Sequence, residues 1–405
     1  MANRRRNLVV AQSGGPTAVI NCSLVGVIEE ARNWPEIGAV LGAERGIKGV
    51  LEAKFLDLYR EAPATLQALR QTPSAALGTS RHKLRGDDLE RILAVFEEYD
   101  VGCFCYIGGN DSMDTANRIA ALAEKRGYDL RVLGIPKTVD NDLVGTDHCP
   151  GYGSAARFVA STLRDAGLDT QAGAASTPVK VIEIMGRHAG WLTAASALAR
   201  EGRPDAAPQL IYLPERPVTA EAIVADVQRV VQRLGYAVVA VSEGIRDPQG
   251  NFLAAASAAT DAFGHQQLGG VSAYLADRIT RVSGLKARFE KPDTMQRAST
   301  ALISSTDAQE AFEVGRAAVR AAREGHTAQM ISLVRGPGPE YHCYTGLVPL
   351  EQVANRERPL PPEYMADNPE QGVTEAFLAY ARPLIGPPLP AHARLQCYPY
   401  VRPGS

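Results

Sequence analysis

Residues 136–142 read PKTVDND and set an ammonium (Lys137), a hydroxyl (Thr138) and two carboxylates (Asp140, Asp142) close together after the apolar run RVLGI. Two acids two residues apart suit a division of labour, one taking a proton from a hydroxyl and the other directing a hard cation. Phosphoryl transfer to an alcohol asks for that pair and for fixed positive charge beside the transferring group. Residues 106–115, YIGGNDSMDT, supply a glycine pair, Gly108-Gly109, followed by Asn110, Asp111 and Ser112. Ser13-Gly14-Gly15 repeats the arrangement near the start of the chain. Backbone N–H groups of such turns bind anions where a helix begins. Each glycine turn alone is a common feature, and PKTVDND alone reads equally well as a solvated turn. Asp111 raises a question, because a carboxylate in a phosphate-binding loop opposes the anion.

These loops recur at the ends of apolar runs. LVVA, VGCFCYI, RVLGI, VKVIEIM, QLIYL and YAVVAVSEG read as short strands, and AVINCSLVGVIEEAR, MDTANRIAALAEKRG and EAIVADVQRVVQRLG have helical spacing. Strands buried on both faces and alternating with helices indicate an α/β fold with mainly parallel sheets. Open parallel sheets hold ligands at the carboxyl ends of their strands, where these loops fall. Cys103 and Cys105 alternate in an apolar run and belong on one face of a buried strand. Gly151–Ala156 fits G-x-G-x-x-A, yet the polar VGTDHCP before it is no strand, so the stretch reads as a helix entry able to contact phosphate. His188, in GRHAGW, reads as a packing residue. The Pro-rich stretches 358–364 and 383–392 read as extended surface segments of a C-terminal extension.

Composition narrows the function classes. The chain has 405 residues, with 43 basic and 45 acidic side chains and a formal net charge of −2. That balance argues against a protein that grips nucleic acid. Arg4-Arg5-Arg6 reads as a short solvated basic tail. No apolar stretch approaches the roughly 18 residues of a membrane span, and the start lacks the apolar run of a secretory signal. The six cysteines have no C-x-x-C spacing, and reduced thiols in a cytoplasmic protein are the expectation. P-loop, H-E-x-x-H and G-x-S-x-G signatures are absent.

QSGGPT, GTSR, GGNDS, PKTVDND, GY, MGR, SEG and MQR occur in this order across residues 7–335. The set resembles the phosphofructokinase family. The resemblance implies two doubly wound α/β domains facing a cleft: residues 1–150 plus about 296–350 for the phosphoryl donor, and 151–295 plus about 351–405 for the sugar phosphate and the C-terminal extension. It implies Asp140 as the base toward the C1 hydroxyl of fructose 6-phosphate, and Asp142 as the acid that orients the sugar and the Mg2+ shell. Thr138, Met185, Gly186 and Arg187 would line the sugar pocket, and Glu243 would accept sugar hydroxyls. Arg288 and Arg297 would clamp the 6-phosphate beside Thr294, since two guanidinium forks suit a dianion. One of that pair comes from a neighbouring subunit in the family, which implies a homodimer or homotetramer. Gly14, Gly15, Arg81 and Gly109 would contact the donor.

Asp111 and Lys137 stand where ATP-using relatives carry glycine, and this pairing resembles the pyrophosphate-dependent branch. A carboxylate in the space of the α-phosphate of ATP repels it by roughly 1 kcal/mol at 4 Å in water and about 4 in a shielded site. Pyrophosphate has no α-phosphate, and Lys137 adds positive charge near the transferring group. The resemblance therefore implies reversible, Mg2+-assisted phosphorylation of fructose 6-phosphate by pyrophosphate. An ATP-dependent enzyme and a non-catalytic sugar-phosphate-binding subunit are the competing readings. Three positions depart from the family pattern: Asn110 replaces an aspartate that helps hold Mg2+, Thr294 replaces a histidine or tyrosine, and Pro178 replaces an arginine of bacterial ATP-type enzymes.

Overall fold

The structure, a computed structural model, describes residues 5–80, 82–203, 205–254, 270–393 and 395. Eleven strands among these residues form two sheets. The strands are β1 (Arg6–Gln12), β2 (Ile37–Ala43), β3 (Phe55–Asp57), β4 (Val101–Gly108), β5 (Arg131–Pro136), β6 (Val179–Ile184), β7 (Leu210–Tyr212), β8 (Ala237–Ser242), β9 (Ala287–Glu290), β10 (Gln329–Arg335) and β11 (Cys343–Pro349). The seven-stranded sheet has the order β11-β10-β5-β4-β1-β2-β3, and the four-stranded sheet the order β7-β8-β6-β9. All pairings are parallel except β2 with β3 and β10 with β11, which place antiparallel strands at the two edges of the larger sheet. The α/β class with mainly parallel sheets is therefore present as expected.

The central strands are buried on both faces. In β4 one face carries Cys103, Cys105 and Ile107 into a core shared with helix Ile20–Ala31 and helix Ser305–Arg323. The other face sends Phe104 and Tyr106 into a second core beneath helix Asn110–Arg126. The thiols of Cys103 and Cys105 lie 3.9 Å apart, as the alternation predicts. The smaller sheet is covered on one side by helices Ala220–Leu234 and Val271–Ser283. On its other side lie helix Tyr152–Ala172 and the C-terminal residues Leu360, Phe377, Tyr380 and Leu384.

Four readings of the sequence need correction. Arg6 is no solvated tail: it opens β1, donates to the carbonyls of Asp129 and Val101, and lies 4.9 Å from the Tyr128 ring centroid. The Pro-rich C-terminal stretches are surface segments only in part: Pro359, Pro362, Pro387 and Pro388 are exposed, but Leu360, Leu384, Ile385 and Leu389 are buried in the core under the smaller sheet. The helix entry at Gly151 is already filled by a carboxylate, with the Gly151 and Ser154 N–H groups donating to Asp307 at 2.8 and 2.9 Å. A buried acid satisfying these donors leaves no place for phosphate there. Finally, the GGNDS stretch is not a loop up to Ser112: the helix starts at Asn110, directly after the extended Gly109.

Candidate active site

The carboxyl ends of β1, β4 and β5 in the larger sheet, and of β6 and β8 in the smaller one, face one pocket of about 840 Å³. It is lined by Gly14, Gly15, Gly109, Asn110, Asp111, Lys137, Thr138, Asp140, Asp142, Met185, Arg187, Glu243 and Arg297, thirteen residues singled out from the sequence. The loop after β5 enters this pocket as a tight turn. Asn141 sits at its apex with φ of 57°, a left-handed conformation that asparagine tolerates better than most residues. Its buried amide donates to the Tyr380 hydroxyl at 2.9 Å and accepts from the Cys149 N–H at 2.9 Å. The Thr138 hydroxyl accepts the Asp140 N–H at 3.1 Å. With Asn141 pinned inward, Asp140 and Asp142 both reach the pocket.

Lys137 is buried, and its Nζ donates to the carbonyl of Gly15 at 2.8 Å. A Cβ on Gly14 would lie 3.2 Å from that Nζ, and Gly14 has φ of 74°. A Cβ on Gly15 would lie 2.6 Å from Nη1 of Arg297. The two glycines thus let one ammonium and one guanidinium approach the same stretch of backbone. The Thr79 hydroxyl holds the Gly14 carbonyl at 2.8 Å.

Burial pushes the Asp140 carboxyl up to about 7, and the neighbouring Asp142 and Glu243 charges push the same way against Lys137. Burial also raises Asp142, with Glu357 adding to it. Lys137 is brought down to about 8 by burial, partly opposed by Asp140. Carboxyl and ammonium thus titrate close to neutrality, the range in which a group exchanges protons effectively. Glu243 is raised by burial and accepts the Gly186 N–H at 3.2 Å. Nε of Arg187 is buried without a hydrogen-bond partner, a donor left for a ligand acceptor.

Asp111 lies in the first turn of helix Asn110–Arg126. The positive end of the helix welcomes a carboxylate there, by about 0.3–1 kcal/mol. Asn110 donates its amide to the carbonyl of Arg356 at 3.0 Å, a contact that a carboxylate at this position could not make.

Three predicted residues lie away from this pocket in the single chain, or only behind it. Gly186 supports the wall through its backbone. Arg288 is exposed on β9, the free edge of the smaller sheet, and Thr294 is exposed before the short helix Met295–Ala298. Arg81 lies outside the described residues.

A family model for Phosphofructokinase matches residues 7–322. The chain belongs to the phosphofructokinase family. It is 46% identical over 385 residues to a Pyrophosphate--fructose 6-phosphate 1-phosphotransferase of Xanthomonas campestris pv. campestris, with 94% of this chain and 91% of the relative covered. A protein of the same description from Methylococcus capsulatus is 43% identical over 387 residues, covering 94% of this chain and 91% of the relative. Among solved structures, the pyrophosphate-dependent phosphofructokinase from Marinobacter aquaeolei superposes with a TM-score of 0.85 at 37% identity, covering 98% of both chains.

Reading the sequence missed part of the phosphofructokinase pocket. Asp114, Thr115 and Arg118 line it together with Asp111. Their spacing of three, four and seven residues places them on one helix face and was a usable signal. Lys83 lines it two residues after the GTSR motif. His188 is no packing residue: it is exposed in the pocket wall, with Nδ1 2.9 Å from Glu357. Asn355 and Glu357 reach the pocket from beyond the family match, and no local pattern marks them.

Proposed function

We propose that the chain transfers a phosphoryl group reversibly between pyrophosphate and the C1 hydroxyl of fructose 6-phosphate. The observation that carries this reading is the pairing of Asp140, pushed up to about 7, with the buried Lys137 that is fixed to the Gly15 carbonyl. Asp140 takes the C1 hydroxyl proton while the C1 oxygen forms its bond to the distal phosphorus of pyrophosphate. The bridging P–O bond breaks and inorganic phosphate leaves with the bond pair. Lys137, with Arg118 and Lys83 lining the same pocket, supplies positive charge to the donor phosphates. Asp111 occupies the helix entry and the space beyond the second phosphate, which disfavours a nucleoside triphosphate. Arg187, Met185, Glu243 and Thr138 hold the sugar, and Arg297 faces its phosphate.

The divalent cation of this family is taken as Mg2+. Asp111 and Asp142 are hard oxygen donors that suit it. Among the described residues, three candidate ligand atoms come within 4.8 Å of one another only at His148, Glu310 and Cys343, outside this pocket. The pocket acids therefore form no ready cage, in keeping with a cation that keeps several waters and binds largely through substrate phosphates. When bound it would neutralise charge on the donor.

We further assign the larger sheet, with residues 1–150 and about 296–350, to the donor, and the smaller sheet with the C-terminal residues to the sugar phosphate. The second guanidinium of the sugar-phosphate clamp is assigned to Arg288 across a subunit contact, with Thr294 beside it. The exposed Tyr274, Val282, Phe289 and Met295 lie near the free edge strand β9 and support such a contact. Light scattering that gave a fully active 43.3 kDa monomer would exclude it. No helix among the described residues is long and apolar enough to cross a membrane, and the assigned compartment is the cytoplasm, checked by cell fractionation.

The test supplies purified protein with fructose 6-phosphate and Mg2+, and gives it either pyrophosphate or ATP while bisphosphate formation is followed. Turnover with pyrophosphate is expected. Turnover with ATP alone would overturn the donor assignment, and none with either would favour a binding protein.

A further inference from the structure

The family match ends at residue 322, yet residues 354–360, ANRERPL, run across the pocket mouth and touch both sides of it. On the side of the larger sheet, the Asn355 amide donates to Asp114 at 2.9 Å, and the Arg356 carbonyl accepts the Asn110 amide at 3.0 Å. On the side of the smaller sheet, Glu357 meets His188 at 2.9 Å, the Arg358 carbonyl accepts Nε1 of Trp191 at 3.1 Å, and the Leu360 N–H donates to Glu215 at 2.8 Å.

Between these anchors, Arg358 binds the turn that carries the two acids. Its backbone N–H donates to the Asp142 carbonyl at 2.7 Å. Its guanidinium donates to the carbonyls of Asn141 at 2.9 Å, Thr146 at 2.8 Å and Asp147 at 3.0 Å. One face of the guanidinium lies 4.6 Å from the centroid of the Trp191 ring. A planar fork with donors on two nitrogens can tie the Asn141 carbonyl of the turn to the Thr146 and Asp147 carbonyls of the loop that follows, whereas an ammonium is a point donor without that geometry. Stacking on the indole fixes the plane of the fork.

We propose that segment 354–360 completes the active site and that Arg358 is the positioning residue holding the Asp140–Asp142 turn in register with the pocket. This rests on the phosphoryl-transfer reading of the same site. The Arg358 guanidinium is hydrogen-bonded to the backbone of the turn and of the loop after it and lies over Trp191, so it acts on the reaction through where the turn sets Asp140. Displacing a reacting group by about 1 Å costs up to about 100-fold in rate. Loss of Arg358 therefore falls mainly on kcat and leaves substrate affinity nearly intact.

The test compares the unaltered chain with Arg358→Met, Arg358→Lys and Arg358→Ala, using pyrophosphate, fructose 6-phosphate and Mg2+. Arg358→Met is expected to lower kcat about 10-fold or more, with KM for both substrates moving less than about threefold. Arg358→Lys should fall between the two. Guanidinium ion at tens of millimolar should restore part of the kcat of Arg358→Ala and none to the unaltered chain. In a Trp34→Phe background, Trp191 emission should change on loss of the stacked fork. A kcat near that of the unaltered chain in Arg358→Met, or a loss confined to KM, overturns the proposal. If Arg358→Met does not fold, Arg358→Lys decides: a reduced kcat at unchanged KM supports it, and an unchanged kcat overturns it. An unaltered chain that never turns over defeats the phosphoryl-transfer reading and this inference with it, whereas active chain and equally active variant defeat the inference alone.

Discussion

Replacing Glu357 with glutamine should move the acid limb of the pH–rate profile downward. In the proposed reaction Asp140 is the base, a role it can fill only when ionised, and burial together with Asp142, Glu243 and Glu357 pushes it up to about 7. Lys137 gives positive charge only when protonated, and burial brings it down to about 8. With these two groups, kcat/KM follows a bell with its maximum near pH 7.5. At pH 6 about a tenth of Asp140 is ionised, and at pH 9 about a tenth of Lys137 is protonated. Either excursion therefore lowers kcat/KM to about one-sixth of the maximum.

Glu357 is the weakest of the charges raising Asp140, acting across an open pocket. Its removal is worth less than about 1 kcal/mol, or roughly half a unit. The ratio of kcat/KM at pH 6 to that at pH 7.5 should then rise from about one-sixth to about one-third in Glu357→Gln. The assay is bisphosphate formation from subsaturating fructose 6-phosphate between pH 5.5 and 9.5. Protonation of pyrophosphate also bends the profile, but equally in both proteins, so it cancels in the comparison. An acid limb that stays in place or moves upward in Glu357→Gln would refute the electrostatic account of Asp140.

Three further outcomes are expected. Asp140→Ala should lower kcat by about 100- to 10,000-fold while calorimetry finds fructose 6-phosphate binding within about threefold. Asp111→Gly, alone or with Lys137→Gly, should raise kcat/KM for ATP by about tenfold or more, since roughly 1–4 kcal/mol of repulsion is removed; unchanged ATP use would move donor selection elsewhere. His148 is buried, which opposes its charge, but Asp147 and Glu310 at 2.8 and 2.6 Å win and push it up to about 9. Its folded value is above its unfolded one, so its stabilisation is complete below about pH 6.5 and lost as pH rises through about 9. Thermal unfolding across that window should show a fall that His148→Gln lacks.

What was legible in the sequence was local. Lys137, Thr138, Asp140 and Asp142 lie within one turn, so their spacing alone brings them together whatever the rest of the chain does. The strand runs were legible because central parallel strands are apolar on both faces. What escaped was set by distant backbone. Asn110 and Arg356 are 246 positions apart, and the acceptor is a carbonyl that every residue type carries. Arg358 likewise recognises carbonyls 211 to 217 positions away, and no side-chain pattern encodes that. Arg6 was misjudged for a related reason: three consecutive arginines look solvated until Tyr128 and the carbonyls of Val101 and Asp129 are brought to the third of them.

The two adjacent departures at the donor turn now have separate physical reasons. Asp111 seemed out of place only while GGNDS was taken as a loop; in the first helical turn its charge meets the helix dipole. In the proposed reaction its carboxylate is the group that opposes an anion longer than pyrophosphate. Asn110 needs a donor rather than an acceptor, because its partner is the Arg356 carbonyl. An aspartate there would face that carbonyl with like partial charge and loosen residues 354–360 from the helix. The same segment carries Arg358 to the Asp140–Asp142 turn, so the amide at 110 and the carboxylate at 140 are linked through a stretch of chain that neither neighbours in sequence.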